Sequence, residues 1–593
     1  MNKVQFCPCD EKFKNPVGAI EVNKRFKIFL ATNGGKEAFF VLKKEGEYED
    51  SVYYPMVKTD DGFAYEMEIT TVGLYYYHFD IIDDGGKTSY FADYKLCAST
   101  YGAEWQLTVI DDLYAKPDFL RGGIFYQIMV DRFNIGAERI KSKKGMIYRD
   151  DWGATPSFRP DEKGIVHNND MFGGNLYGVI DKLDYLKSLS VKCIYLNPIF
   201  DAASNHKYDT ANYRRVDADF GGNEALALLI KEAKARGMEV ILDGVFSHTG
   251  EDSIYFNRYG NYDSVGAYQS KKSPYYEWYD FIDYPEDYTS WWGIKLLPCV
   301  KETNPSYDEF INGEEGVVRT YMRMGIAGFR LDVADELPDE FLDNLAKAVK
   351  KVRPDAMVLG EVWEDASNKV SYGYRRRYFQ GKQLDSVTNY PLKNAIISFV
   401  RDGRAEELER VVNTLVNNYP PKVLKNLMNT LSTHDTQRIL TALSHDELPQ
   451  TKAERSNYKI TDLGLAKKRV KIAGLLQYTL PGTPCLYYGD EASMEGCEDP
   501  FNRRCYPWGS EDGETINYFV SLGKLRAFDE FNDGDIKIEK ASDGIFAFIR
   551  GGKYAVIVNA TDKDYALDKK RVDIVSGSTV DKIASLGAIV YKI

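Results

Sequence analysis

No stretch of this chain is apolar for long enough to span a bilayer, and residues 1–13 hold no apolar signal core, carrying Asp10 and Glu11 instead. The expectation from these absences is a cytoplasmic protein with no membrane partner. Cysteine is sparse, with eight in 593 residues. Cys7 and Cys9 lie too close together for an ordinary disulfide, and no second close pair completes a zinc pattern. Cys193 and Cys485 sit in apolar runs and read as reduced core residues. Positive charge is in deficit too. The formal net charge is −13, which argues against a nucleic-acid partner and for a neutral or cationic one. No internal repeat and no low-complexity segment interrupts the chain.

What remains is an ordinary globular balance, 44% hydrophobic and 28% charged, with 43 tyrosines. Tyrosine and tryptophan offer flat apolar faces with polar rims, which suit sugar rings as well as cores. The length predicts three or four domains. Residues 1–115 read as an N-terminal β-sandwich, with aromatic and β-branched runs at 25–31, 38–43, 63–69 and 74–82 separated by Gly- and Asp-rich turns. A packing module, a glucan-binding module and a dimer contact are all open readings of it. From Gly123 apolar runs alternate with helical patterns such as 223–236, 339–350 and 467–477. The runs fall at 124–130, 192–196, 239–242, 327–331, 357–359, 384–387, 427–431 and 485–488. Eight strands with intervening helices predict an α/β fold, a (β/α)8 TIM barrel over 120–515. An aromatic, irregular insertion at 249–312 follows the third strand, and a shorter irregular stretch at 134–173 follows the first. Residues 516–593 read as a small C-terminal β domain, with strands at 545–550, 554–559 and 588–593 after a helix at 515–528.

Barrel enzymes carry their chemistry where strands end. The third strand runs into Asp243 and His248, the fourth into Arg330 and Asp332, the fifth into Glu361 and Trp363, and the seventh into His434 and Asp435. Arg330 and Asp332 are two apart, so on a strand they share a face. A guanidinium there favours an ionised carboxylate. Taken alone, the pair reads as a structural ion pair; the carboxylates at neighbouring strand ends give it a chemical reading. Two carboxyl groups in different surroundings can divide a glycoside hydrolysis, one attacking and one donating a proton. Asp332 beside Arg330 suits the first part. Glu361, next to Val362 and Trp363, has apolar neighbours and suits the second. Asp435 can hold sugar hydroxyls, and His248 and His434 can donate to them; a pair of structural histidines is the alternative for these two.

These segments resemble the α-amylase family of retaining glycoside hydrolases, family 13, from about Gly123 to the last residue. The resemblance implies that Asp332 is the nucleophile, Glu361 the general acid/base and Asp435 the transition-state stabiliser. It also implies that Asp243, His248, Arg330 and His434 line the subsite where the bond breaks, with Tyr208 stacking under the sugar. The run from Asn197 to Asp209 (NPIFDAASNHKYD), and Val333-Ala334-Asp335-Glu336, are similar to the neopullulanase, maltogenic amylase and cyclodextrinase group. There the residue matching Glu336 lies toward the acceptor side and is linked to α-1,6 as well as α-1,4 bonds. The implied activity is double-displacement hydrolysis of maltooligosaccharides, pullulan, cyclodextrins or starch, by a monomer or homodimer and with no cofactor in the chemistry. A 4-α-glucanotransferase and a non-catalytic glucan-binding scaffold are the alternatives on the same fold.

The chain also departs from that group. Ser247 stands where an Asn that often binds calcium is usual, Asp335 replaces an Asn, and Cys299 replaces a Lys. The calcium loop after strand one is incomplete, with Ala137 near the place of an acidic ligand. Candidate oxygen ligands for a structural Ca2+ are Asn134, Asp170 and Asn175, with Asp150, Asp151 and Asn169 nearby. The sequence offers no reading of Asp335.

Overall fold

The computed structural model describes residues 4–46, 51–143, 145–162, 164 and 166–593. At its centre are eight parallel strands: β1 (Ile124–Ile128), β2 (Val191–Leu196), β3 (Glu239–Gly244), β4 (Gly328–Leu331), β5 (Met357–Gly360), β6 (Ser386–Val387), β7 (Met428–Thr430) and β8 (Thr483–Tyr487). Their spatial order is β6-β5-β4-β3-β2-β1-β8-β7, and a parallel bridge from Thr388 to Met428 joins the two ends into a barrel. Strands outside the barrel are named by their residues. Each apolar run read from the sequence supplies one barrel strand. The sixth is shorter than the run, because only Ser386 and Val387 join the ladder. Asp385 turns its carboxylate to the Val358 N–H at 2.8 Å and to Lys116 and Lys350 at 2.9 Å each.

The two-residue period of a strand explains the barrel interior. Phe125, Cys193, Ile241, Leu359 and Cys485 form one internal apolar cluster. Two residues further on, the same faces carry Gln127, Tyr195, Asp243, Glu361 and Tyr487. The lining therefore changes from apolar to polar toward the C-terminal ends of the strands. The helices bury one face against the outside of this ring. In Asp339–Val352 the buried residues Phe341, Leu342, Leu345, Ala346 and Val349 follow helical spacing, with acidic side chains in the first turn and lysines in the last. Helix Leu463–Thr479 is buried on all sides from Ile472 onward; its Gln477 amide donates to Asn429 O at 2.9 Å and Cys485 O at 2.8 Å, tying β7 to β8.

The N-terminal strands form two sheets around an aromatic core that includes Phe6, Phe40, Tyr77, Phe79 and Trp105. This sandwich docks on helix Ala405–Asn418, where Asn417 Nδ2 donates to Gln106 O at 3.1 Å and Asn413 Nδ2 to Lys95 O at 3.0 Å. Gly18 makes the approach close: its φ is +84°, and a Cβ there would stand 2.9 Å from Tyr419 O. The irregular segment after β3 packs around buried Tyr255, Phe256, Trp278, Tyr279 and Tyr288. At the C-terminal end, Ile536–Ser542, Ile545–Arg550, Tyr554–Asn559 and Gly587–Lys592 make an antiparallel sheet, with Tyr565–Val572 and Thr579–Ile583 as a separate pair. No described helix is long and apolar enough to cross a membrane.

Candidate active site

The polar layer opens into a cleft of about 1090 Å3, lined among others by Tyr208, His248, Asp332, Glu336, Glu361, Trp363, His434 and Asp435. Asp243 and Arg330 lie beneath its floor. They face each other in register on β3 and β4, and Arg330 Nη1 is 2.8 Å from Asp243 Oδ1 and 2.8 Å from Asp332 Oδ1. Arg330 Nη2 is 2.7 Å from Glu361 Oε2. One guanidinium therefore grips three carboxylates, all nearly buried. This corrects the expected division of surroundings. Arg330 does not single out Asp332, because it reaches Glu361 just as closely. Val362 is buried, and Trp363 lines the cleft with Glu361 and stacks flat on Tyr390 at 4.0 Å. Burial pushes the Asp332 and Glu361 carboxyls up and Arg330 works against it in both, so the pair holds a proton more readily than two free carboxyls do.

Val333 follows Asp332 with a left-handed backbone, φ +40° and ψ +60°. A β-branched residue is strained in that region. The turn aims its N–H at Glu361 Oε2, 2.9 Å away, so the chain at one carboxyl orients the other.

Asp243 is a hub for donors. The Tyr195 and Tyr208 hydroxyls donate to its Oδ2 at 2.7 and 3.2 Å. Tyr208 lies parallel to His434, with ring centres 5.4 Å apart, and is hydrogen-bonded to its Nε2. The Gln127 amide reaches His434 Nδ1 at 2.9 Å, which leaves Nε2 to face Tyr208 and Asp435. Asp435 Oδ2 is 3.0 Å from Nε2, and Arg503 Nη2 is 3.4 Å from Oδ1. Enclosure by the cleft works against charge on Asp435, but His434 and Arg503 outweigh it and hold its carboxyl well below the ordinary range. His248 is fixed by the Ser247 hydroxyl, 3.0 Å from Nδ1, and lines the cleft. Burial lowers its pKa to about 4, so at neutral pH it is an uncharged imidazole. Cys299 bridges to His248 through the backbone, and burial pushes its thiol up to about 12.

Glu336 accepts from Trp292 Nε1 at 3.0 Å and from the Tyr372 hydroxyl at 3.1 Å. Asp335 lines the cleft as well. The Tyr378 hydroxyl donates to it at 2.6 Å and Lys369 lies 3.1 Å from it.

The candidate calcium ligands do not converge as an open cation site. Asn175 caps helix Leu176–Asp181 by accepting from Gly178 N at 2.9 Å, and Asn134 donates to Gly178 O at 3.0 Å. Asp170 accepts from Ser157 N at 2.9 Å and from the Asn205 amide at 2.8 Å, with the buried Arg132 guanidinium 3.9 Å away. The Arg139 side chain lies over Gly173 in the same loop. The Asp170 and Asn175 oxygens already accept protein N–H groups and the Arg132 guanidinium stands beside Asp170, a donor set that does not fit a calcium ion. Among the described residues no group of three or more His, Cys, Asp or Glu side chains could hold a metal.

Gln127, Tyr195, Asn197, Tyr390 and Arg503 belong to the site without having been singled out from the sequence. Gln127 carries a signal, as a polar residue inside an otherwise apolar strand. Tyr195 and Tyr390 carry none, since both read as core tyrosines.

Residues 127–543 match the family model described as the alpha amylase catalytic domain. An amylopullulanase from Thermoanaerobacter thermohydrosulfuricus is 33% identical over 603 residues, covering 91% of this chain and 40% of its own length. This chain therefore spans less than half of that relative. A cyclomaltodextrinase from Geobacillus thermopakistaniensis (strain MAS1) is 32% identical over 456 residues, covering 73% of this chain and 67% of its own. Among solved structures, the type III pullulan hydrolase from Thermococcus kodakarensis aligns with a TM-score of 0.70 at 25% identity, with 100% of both chains covered.

Proposed function

The chain belongs to the alpha-amylase family, and on that premise we propose that it is a retaining α-glucan hydrolase acting on starch-derived chains, pullulan or cyclodextrins. The relatives' names support that substrate range, as an amylopullulanase, a cyclomaltodextrinase and a pullulan hydrolase. One observation carries the mechanism: Asp332 and Glu361 rest on the two terminal nitrogens of a single guanidinium. That ties the two carboxyls to one group, and a close pair of carboxyls (about 5–5.5 Å) is the arrangement that retention uses.

Asp332 attacks the anomeric carbon while Glu361 gives its proton to the leaving glycosidic oxygen. A glycosyl ester on Asp332 results. Glu361, now a carboxylate, takes a proton from water, which attacks the same carbon and frees Asp332. Asp435, His434 and His248 bind hydroxyls of the sugar in the cleft, where their hydrogen bonds strengthen as positive charge develops on the ring. Arg330 compensates the negative charge that passes between Asp332 and Glu361. All eight cysteines are free thiols, which suits a cytoplasmic setting.

Proton NMR of the first products from maltotriose, pullulan, a cyclodextrin and soluble starch tests the proposal, with and without an added sugar acceptor. The α-anomer is expected at once; a β-anomer would rule out double displacement. Products enlarged by the acceptor in preference to hydrolysis would point to the glucanotransferase. In the same assay Asp332→Asn is expected to lose several orders of magnitude in rate.

A further inference from the structure

Three of the eight thiols meet at one corner of the N-terminal sandwich. The chain leaving strand Val4–Gln5 runs beside the chain entering strand Ala98–Ser99, and Phe6 O accepts from Ala98 N at 3.0 Å. Cys7 and Cys97 flank that bond, and their thiols are hydrogen-bonded to each other. The Cys9 thiol is hydrogen-bonded to Cys7 as well, and its Sγ donates to Asn413 O at 3.3 Å, on the barrel helix Ala405–Asn418. Cys97 is exposed, while Cys7 and Cys9 are half-buried. The loop that carries Cys97 is held in place: Asp93 Oδ1 accepts from Lys95 N and Cys97 N at 2.8 Å each, and Lys95 Nζ is 2.8 Å from Glu409 of the same helix.

The two chains at this corner belong to different sheets. Val4–Gln5 pairs with Thr32 and Ala31 in one, and Ala98–Ser99 pairs with Ala92 and Phe91 in the other. A covalent bond between Cys7 and Cys97 would tie the sheets together and close a loop of about 90 residues. Facing residues on neighbouring extended segments have Cα atoms about 4.5–5.5 Å apart, within the span of a disulfide. Cys7 and Cys9, with only Pro8 between them, are too close in sequence for an unstrained bridge.

We propose that Cys7 and Cys97 are an oxidation-sensitive pair that forms a reversible disulfide between the two sheets of the sandwich, with hydrogen peroxide as the oxidant and Cys9 remaining a thiol. Cys97, the exposed member, reacts first: its sulfur takes one oxygen from the peroxide, giving a sulfenic acid and one water. The Cys7 sulfur then attacks the sulfenic sulfur. The S–S bond forms, the S–O bond breaks, and the hydroxide leaves with the Cys7 proton as a second water. Two thiols lose two electrons and two protons, and the peroxide is reduced to two waters. A dithiol reverses the bond by exchange and itself becomes the disulfide. Attack needs the thiolate. The bond with Cys9 pushes the Cys7 thiol up to about 12, with burial acting alongside and Cys97 against. The bond with Cys7, then burial, Asp93 and Glu409, raise the Cys97 thiol above the ordinary range. Little thiolate is present at neutral pH, so the pair responds to sustained oxidant and not to a brief pulse.

Peptide mapping of the full chain, reduced with dithiothreitol and then held in hydrogen peroxide, tests the proposal. A link between the tryptic peptide holding Cys7 and Cys9 and the one holding Cys97 is expected after oxidation and not before it. Cys9→Ser should keep the link, and Cys7→Ser and Cys97→Ser should each lose it. In the parent and in Cys9→Ser the link should raise the thermal midpoint of the sandwich by several degrees, and dithiothreitol should cancel the rise. Mapping of the unsubstituted chain stands whether or not a variant folds. Oxidation of Cys97 to a sulfinic or sulfonic acid without a link overturns the proposal. So does a link that survives Cys7→Ser, which would make Cys9 the partner, or a link that leaves the midpoint unchanged.

Discussion

Arg330 sets the electrical balance between Asp332 and Glu361, so replacing it should move the pH dependence of the reaction as well as its rate. Burial raises both carboxyls and Arg330 opposes the rise in each. In Arg330→Gln the opposition is gone, and both groups rise further. The acid limb of kcat/KM, which reports ionisation of the attacking carboxyl, should move up by at least about one pH unit, and the rate at pH 7 should fall about 10²-fold or more. An acid limb that stays in place would show that Arg330 does not govern Asp332. Much of this layer was legible in the sequence, for a physical reason. Asp243, Asp332, Glu361 and Asp435 each follow an apolar run closely, and a strand running into a polar residue at its C-terminal end delivers it to the barrel mouth. Asn197 and Arg503 were not legible as partners. Asn197 meets Gln127 and Tyr208, and Arg503 meets His434 and Asp435, only through packing between distant segments. The partners of Arg330 and Asp335 also needed geometry. Spacing shows that Arg330 and Asp332 share a face, but not that the second guanidinium nitrogen reaches Glu361.

β6 shows what holds a barrel strand that has only two residues on its ladder. Asp385, just before it, is fully buried and faces Lys116 from the segment before β1 and Lys350 from helix Asp339–Val352. Asp385→Ala would leave two ammonium groups buried without their carboxylate. The expected cost is about 3–5 kcal/mol of stability, read as a lowered denaturation midpoint. A loss below about 1 kcal/mol would mean that water already reaches the lysines. Legibility differed among elements as well. Long apolar runs such as 192–196 announced their strands. Strands Ile536–Ser542 and Tyr565–Val572 did not, because IKIEKAS and YALDKKRV lie on open sheet faces and are rich in charge. Where one side of a strand faces water, little apolar signal remains to read.

The formal net charge of −13 counts every carboxyl of the chain as ionised, and half-buried Glu302 departs from that count. Glu302 lies in the insertion after β3, where burial pushes its carboxyl up to about 8, against its own backbone N–H and with Glu336 acting in the same direction as burial. An unfolded glutamate titrates near about 4.3, so the folded chain holds this proton more tightly than the unfolded chain does. Its contribution to stability is therefore fully present below about pH 4.3 and is lost as pH rises through about 8. Glu302→Gln removes the ionisation and keeps the shape. The variant should match the parent in stability near pH 4.5 and exceed it increasingly toward pH 8, by up to about 1.4 kcal/mol for each pH unit between the two pKa values. Denaturation midpoints at pH 4.5, 6 and 8 measure this. Salt separates two origins for the gain. If it came from relieving the general repulsion of a −13 chain, moderate salt would remove it, because exposed charges are screened within about 8 Å at physiological ionic strength. Since the cause is burial of one carboxyl, the gain at pH 8 should persist in salt, and its disappearance there would refute the assignment.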